Sequence, residues 1–227
     1  KTAVKELAAR QGMVATFMGK PFNDQGGSGF HLHLSVVGSD GANVFADQNM
    51  PHGLGTVRSR FLAGVLEHGP ALMALLAPTV NAYKRLVPDS LAPTHVNWGH
   101  DNRTAFVRVP NETGSRSRIE VRAGDGSACA HLLIAALLLA GLDGIERELD
   151  PPDPVVGDAY RADEAHAGTK LPASLGASLD ALEADEWLSD ALGAELLGTF
   201  VVMKRFELER FSQYVTDWEL DEYARHL

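Results

Sequence analysis

Apolar and polar side chains alternate with a period of two in three short stretches of the chain. In Gly29-Phe30-His31-Leu32-His33-Leu34-Ser35-Val36 this period puts His31, His33 and Ser35 on one face and Leu32, Leu34 and Val36 on the other. In Arg118-Ile119-Glu120-Val121-Arg122 it puts two arginines and a glutamate on one face, with two apolar residues behind. A third strand is expected from Arg103 to Val109, ending at Pro110. Arg103 and Arg108 have opposite parity there, so they share a face only if a bulge re-aims one of them. Elsewhere the helical period dominates. Val57–Glu67 and Pro70–Leu76 form two expected helices broken at Gly69-Pro70, and Ser127–Glu148 a long apolar one with Ser127 as a candidate cap. Leu132, Leu133, Leu137 and Leu138 of that helix are expected in the core, with His131 packed beside them. The Asp150-Pro-Pro-Asp-Pro154 run is a break, and 158–178 shows no period and is expected to be a loop. From Leu179 onward the pattern is helical again, strongest over Phe200–Val215. Together these elements predict an α+β fold, an antiparallel sheet with one polar face backed by helices.

Length and composition narrow the classes. The 227 residues, 45% hydrophobic and 22% charged, suffice for one or two globular domains with a sizeable core. The longest apolar run, Ala128 to Leu142, contains His131 and falls short of the roughly 18 residues of a spanning helix, so no membrane partner is expected. Cys129 is the only cysteine, which excludes an internal disulfide framework and a cysteine-based zinc site and fits a reducing, cytoplasmic compartment. A formal net charge of −10 argues against nucleic acid as a partner. The charge is uneven, however. Residues 84–122 carry seven Lys/Arg against four acids, and residues 143–227 carry seven against twenty. An arginine-rich island in an acidic chain can hold an anion locally. The chain begins at Lys1 and runs directly into the helix-like VKELAAR, so it is expected to be part of something longer.

The candidate chemistry lies on the two polar strand faces. His31 and Glu120 are a plausible ligand pair for Mg²⁺ or Mn²⁺, because a hard cation prefers carboxylate oxygen and tolerates imidazole. The neighbouring arginines can grip phosphate or carboxylate oxygens in bidentate fashion. Metal together with several arginines is the equipment of phosphoryl transfer. Each strand also has a plain reading, His-x-His as a hydrogen-bonded surface pair and Arg-x-Glu-x-Arg as a cross-strand salt-bridge face. The Gly26-Gly27-Ser28-Gly29 turn can present backbone N–H groups to an anion but lacks the lysine and spacing of a P-loop.

The joint order of motifs adds to this. GSGFHLHLS, NAYKRLVP, DNRTAFVRVP and RIEVR, followed by a long apolar helix ending AGLDGI, resemble the catalytic domain of the glutamine synthetase superfamily. FMGKPFNDQGGSGFHLHLS with WGHDNRT resembles its γ-glutamylpolyamine synthetase branch. The resemblance covers nearly all of residues 1–227 and weakens over about 150–198. It implies an antiparallel sheet curved around a two-metal cleft, and an ATP-dependent ligase that phosphorylates the γ-carboxylate of glutamate and lets an amine or ammonia displace the phosphate. It implies metal binding by His31 and Glu120, with Mg²⁺ or Mn²⁺ as cofactor and ATP as co-substrate. Gly27, Arg85, Arg103 and Arg122 are the matching glutamate-binding positions, Arg103 and Arg85 being the catalytic ones. His33, Ser35, Arg108 and Arg118 match the nucleotide side. The resemblance also implies a homo-oligomer of the full-length protein. The small N-terminal domain and the remaining metal-binding glutamates of such proteins lie upstream of the position matched by Lys1, so the isolated fragment is expected to be inactive.

Three positions depart from the ammonia-using pattern. Leu91 stands where a glutamate precedes Ala92-Pro93, Gly26 stands in place of an asparagine, and Ser115 in place of a lysine, with Arg116 as a neighbouring substitute. Leu91 lacks the carboxylate that would take a proton from ammonium, which favours an organic amine, and the three departures keep open a non-catalytic relative. A glutamine synthetase proper is the further alternative, as is a guanidino-type phosphotransferase on the same fold, which is not expected to carry His-x-His together with RIEVR.

Overall fold

A computed structural model of the chain describes residues 1–163 and 167–225. Among these, strands β1 (Leu32–Leu34), β3 (Trp98–His100), β4 (Val107–Val109) and β5 (Ile119–Val121) form one sheet in the order β1-β5-β4-β3. The β1/β5 and β5/β4 pairs are antiparallel, as expected, whereas β3 runs parallel to β4. The expected strand from Arg103 is shorter than predicted. Residues 103–106 belong to the turn between β3 and β4, so the parity conflict between Arg103 and Arg108 disappears without a bulge. A second, two-stranded sheet pairs β2 (His95–Val96) with β6 (Thr169–Lys170). Its strand β6 falls inside the segment expected to be loop, and neither strand was expected, because two residues cannot display a period. Residues 164–166 of that expected loop lie outside the described residues.

Helices cover the apolar face of the sheet. Helix α1 (Thr2–Arg10) leads the chain, and α2 (Thr56–Glu67) and α3 (Gly69–Leu76) follow β1, with Pro70 in the first turn of α3, where a missing N–H costs nothing. The long α4 (Ala130–Glu146) packs on α2 with the two backbones in contact. A Cβ on Gly64 would lie 2.0 Å from the Ala140 carbonyl, and one on Gly144 would lie 2.2 Å from that of Arg60. Leu133 and Leu137 are fully buried there, but Leu138 is 40% exposed and His131 is exposed, so one stripe of α4 faces outward, contrary to expectation. Ser127 does not cap α4 either. Its N–H and hydroxyl both donate to the Asp125 carboxylate, and the helix starts after Cys129. Helices α5 (Leu175–Ala184), α6 (Glu186–Leu192), α7 (Ala194–Ser212) and α8 (Asp217–Tyr223) complete the chain, with a Thr216/Glu219 capping box opening α8. No helix of the described residues is long and apolar enough to cross a membrane.

A buried ionic cluster ties three of these junctions together. His68, between α2 and α3, places Nδ1 2.6 Å from Asp185 and Nε2 3.0 Å from Asp143, and stacks on Trp187. Arg147 donates to Asp143 at 2.8 Å and reaches Glu67 at 3.5 Å. Burial opposes charge on the imidazole, but bonds to Asp185 and Asp143 overcome it and raise the His68 pKa. Burial likewise opposes charge on Asp185, and His68 outweighs it to lower that pKa. The His68 contribution is therefore complete below its unfolded value of about 6.5 and lost as pH rises through its raised folded pKa. The Asp185 contribution is lost at the acid end instead. Thermal melts across pH should show stability declining on the alkaline side of about 6.5, and His68→Gln should flatten that limb while costing about 2 kcal/mol at pH 6.

Candidate functional site

The polar face of the sheet is organised as a row across three strands. In register, His33 on β1 faces Glu120 on β5, and Glu120 faces Arg108 on β4. The period-two alternation predicted for β1 and β5 holds: Ile119 and Val121 are fully buried beneath, while the polar side chains project to the opposite face. Glu120 is only 2% exposed. Its Oε1 accepts from Arg122 at 2.7 Å and lies 3.1 Å from His31 Nδ1 and 3.8 Å from His33 Nε2. Its Oε2 accepts from Arg108 at 2.6 Å. Burial opposes the carboxylate charge, but the Arg108 hydrogen bond and the nearby charges of Arg122 and His33 outweigh it and lower the pKa. The carboxylate therefore stays ionised. On His31, burial and the Arg122 charge outweigh Glu120 and lower the pKa, so the imidazole is neutral near pH 7 with a lone pair to offer.

Outer partners hold the arginines. Arg108 is bonded through Nε to Asp101 at 2.7 Å, and Arg118 bridges Glu112 at 3.1 Å and His33 Nδ1 at 3.2 Å. Arg122 Nε donates to the Arg103 carbonyl at 3.1 Å, so Arg103 enters the site through its backbone while its side chain is exposed. Arg85 ends a short 3₁₀ segment, Val80–Arg85, and is buried. It donates to the carbonyls of Ala123 and Gly124. Its stem passes so close to Gly27 that a Cβ there would fall 2.6 Å from Arg85 Cγ, which gives glycine at 27 a packing reason of its own. Ser35 lies just past the end of β1, outside the row, and is exposed.

These groups border a cleft of about 570 Å³ lined by Gly26, Gly27, Gly29, His31, Arg85 and Arg122. Lys20, Asn23, Lys84, Val87, Ser90 and Leu91 complete it. The sequence pattern did not single out Lys20, Asn23, Lys84 or Ser90. Lys84 sits inside the NAYKRLVP motif, and Lys20 and Asn23 inside FMGKPFNDQGGSGFHLHLS, which were the available signals, whereas Ser90 lies in none of the motifs. Lys20 is placed by a backbone pair with Asn81, at 2.8 and 2.9 Å.

Glu120 Oε1 and His31 Nδ1 are separated by 3.1 Å, a spacing suited to two neighbouring donors around one cation at about 2.0–2.2 Å. They fit as part of a divalent-metal shell. Among the described residues no group of three or more His, Cys, Asp and Glu side chains forms a metal cluster, so the chain itself supplies a partial donor set.

The arrangement brings an arginine-rich face and a carboxylate–imidazole pair beside a glycine-lined cleft. Comparison with known proteins assigns the framework that carries it. Residues 1–223 match the family described as glutamine synthetase, catalytic domain. The chain is 42% identical over 227 residues to the glutamine synthetase of Halobacterium salinarum, covering 98% of this chain and 50% of that one. It is 40% identical to the glutamine synthetase of Thermotoga maritima, covering 98% and 52%. A structure solved as a GmaS/ADP complex superposes with a TM-score of 0.89 at 38% identity, covering 99% of this chain and 52% of that one. GmaS without ligand superposes with a TM-score of 0.87 at 38% identity, covering 98% and 51%. The chain belongs to the glutamine synthetase family, and it spans about half the length of the curated relatives it matches.

Glu120 is the keystone of this arrangement, and its removal has a defined cost. With Glu120 and Arg122 side chains 3% and 5% exposed, Glu120→Gln should destabilise the protein in urea by about 3 kcal/mol, because two guanidiniums lose their counter-charge. Arg118→Ala, whose partners are more exposed, should cost less than about 1 kcal/mol. Equal small losses for both variants would show that the Glu120 carboxylate does not hold the site.

Proposed function

We propose that this chain is the C-terminal catalytic part of an ATP-dependent γ-glutamyl amide ligase, which forms γ-glutamyl phosphate and then an amide with an amine. The observation that carries the proposal is the row His33–Glu120–Arg108, joined through Glu120 to His31 and Arg122, which with Arg85 line the cleft. Arg85 and Arg122 hold the glutamate carboxylates beside the Gly27 backbone, and Arg103 stands between glutamate and the transferred phosphoryl group. Arg108, Arg118, His33 and Ser35 serve the nucleotide. ATP as the donor agrees with a relative solved in complex with ADP. His31 and Glu120 hold one Mg²⁺ or Mn²⁺, which when bound offsets charge on the phosphate oxygens. The protein's own contribution is orientation. Arg85, Arg108, Arg118 and Arg122 are each pre-set by more than one bond, so little of their rotamer freedom is lost when substrate arrives. The working enzyme is a cytoplasmic homo-oligomer that completes the metal shell with carboxylates from elsewhere in its subunits.

The nucleophile is an organic amine. An ammonium ion must lose a proton before attack, and a nearby carboxylate both attracts it and takes the proton. No Asp or Glu lines the cleft among the described residues, and Leu91 stands on its wall, 58% exposed. An apolar wall suits an alkyl chain, whose burial is worth about 0.8 kcal/mol per CH₂. In the full-length enzyme, kcat/KM should be higher for one or more mono- or polyamines than for ammonium, and Leu91→Glu should shift the ratio toward ammonium. Ammonium as the best substrate of the unmodified enzyme would make it a glutamine synthetase in the strict sense.

A further inference from the structure

The wall of the cleft that carries Leu91 is held in a conformation a free chain avoids. Asp89 and Leu91 have φ of 62° and 58°, in the left-handed region that disfavours L side chains, Leu above all. Two such residues within three positions persist only where neighbours over-determine the backbone. Two clamps are present. The Ser90 hydroxyl sits between the carbonyls of Val87, at 2.5 Å, and Arg85, at 3.0 Å. The Tyr160 hydroxyl, from a different part of the chain, donates to the Ala92 carbonyl at 2.8 Å. Burial, with the carboxylates of Asp158 and Asp89 nearby, pushes the phenol up from its ordinary value, so it remains a donor at any working pH.

Tyr160 is itself anchored to the opposite side of the site. Asp158 accepts from its N–H at 3.0 Å, and the Ala159 N–H donates to Thr104 Oγ1 at 2.9 Å. Thr104 and Asn102 are bonded to each other, and Asn102 donates to the Gly157 carbonyl at 2.9 Å. Between them lies Arg103, whose carbonyl accepts from Arg122. One continuous set of bonds thus runs from Arg122, through the Arg103 turn and Tyr160, to the strained Leu91 wall.

We infer that Tyr160 is a positioning residue that fixes the Leu91 wall relative to Arg103 and Arg122 and so sets the width of the amine's entry. This rests on the ligase reading for its consequence, but not for its geometry. The test is Tyr160→Phe in the full-length enzyme, with two readouts. Amide hydrogen exchange over residues 87–92 should quicken about fivefold, the weight of one neutral hydrogen bond. KM for the amine should rise by a similar factor of about five while KM for ATP stays within twofold. Unchanged exchange at 87–92 overturns the clamp whether or not any amine is turned over. Faster exchange with kcat falling and amine KM and ATP KM rising together overturns the positioning role and leaves a structural one. An enzyme that turns over no amine and no ammonium sinks the ligase reading, and the exchange result still decides the clamp. Ser90→Ala should loosen the same segment, which guards against a folding defect specific to position 160.

Discussion

A carboxylate sealed under the polar face of the sheet governs everything built on that face. An isolated buried carboxylate would neutralise or be expelled, so Glu120 exists only because Arg108 and Arg122 meet it within hydrogen-bonding distance from two directions. The converse also holds, since Arg122 is nearly as buried and has no other acid at this range among the described residues. The three side chains therefore form a unit that assembles together or not at all. Because Ile119 and Val121 flank Glu120 and point into the core, a one-residue slip of β5 would drive Glu120 into the apolar layer and two β-branched residues into the cleft. The register that buries the core is the register that sets the site.

From that unit the rest of the site is positioned at second hand. Arg122 ties the Arg103 turn, Arg108 ties Asp101, and His33 links the row to Arg118 and hence Glu112. Arg85 is placed from another direction by two backbone carbonyls and by the absence of a side chain at Gly27. Loops alone would not hold such geometry. Anchoring each loop to the short central strands lends it the stiffness of the sheet.

The legible part of this in the sequence was the part that repeats. Period-two alternation placed His33 and Glu120 on the right face, and the order of motifs brought in Arg85, Arg108 and Arg122. Local pattern failed wherever tertiary context chose. The strand expected from Arg103 was cut short because residues 103–106 turn toward β4, and β2 and β6 are too short to show any period. Leu138 and His131 face outward because only one stripe of α4 meets α2, and a mean apolarity does not say which stripe. Ser127 was drawn off its cap by Asp125, a competitor two residues away. Tyr160 reaches the site across a long chain separation, through Ala92, and no local spacing encodes such a contact.

The electrostatic balance of the cleft gives the proposed chemistry its direction. Lys20, Lys84, Arg85 and Arg122 line it with no acid among the described lining residues, although the chain as a whole carries a net charge of −10. A locally cationic cavity on an acidic body attracts anions at short range and repels them at long range, so selection rests on the fit of carboxylate and phosphate oxygens to fixed guanidiniums rather than on steering. A partial metal shell of one carboxylate and one imidazole is consistent with the same balance. Extra carboxylates inside this cleft would neutralise the arginines that anionic substrates need, so they must approach from the side the arginines do not occupy. On the proposed reading one buried glutamate faces both charges, with Oε2 given to Arg108 and Oε1 lying between Arg122 and His31.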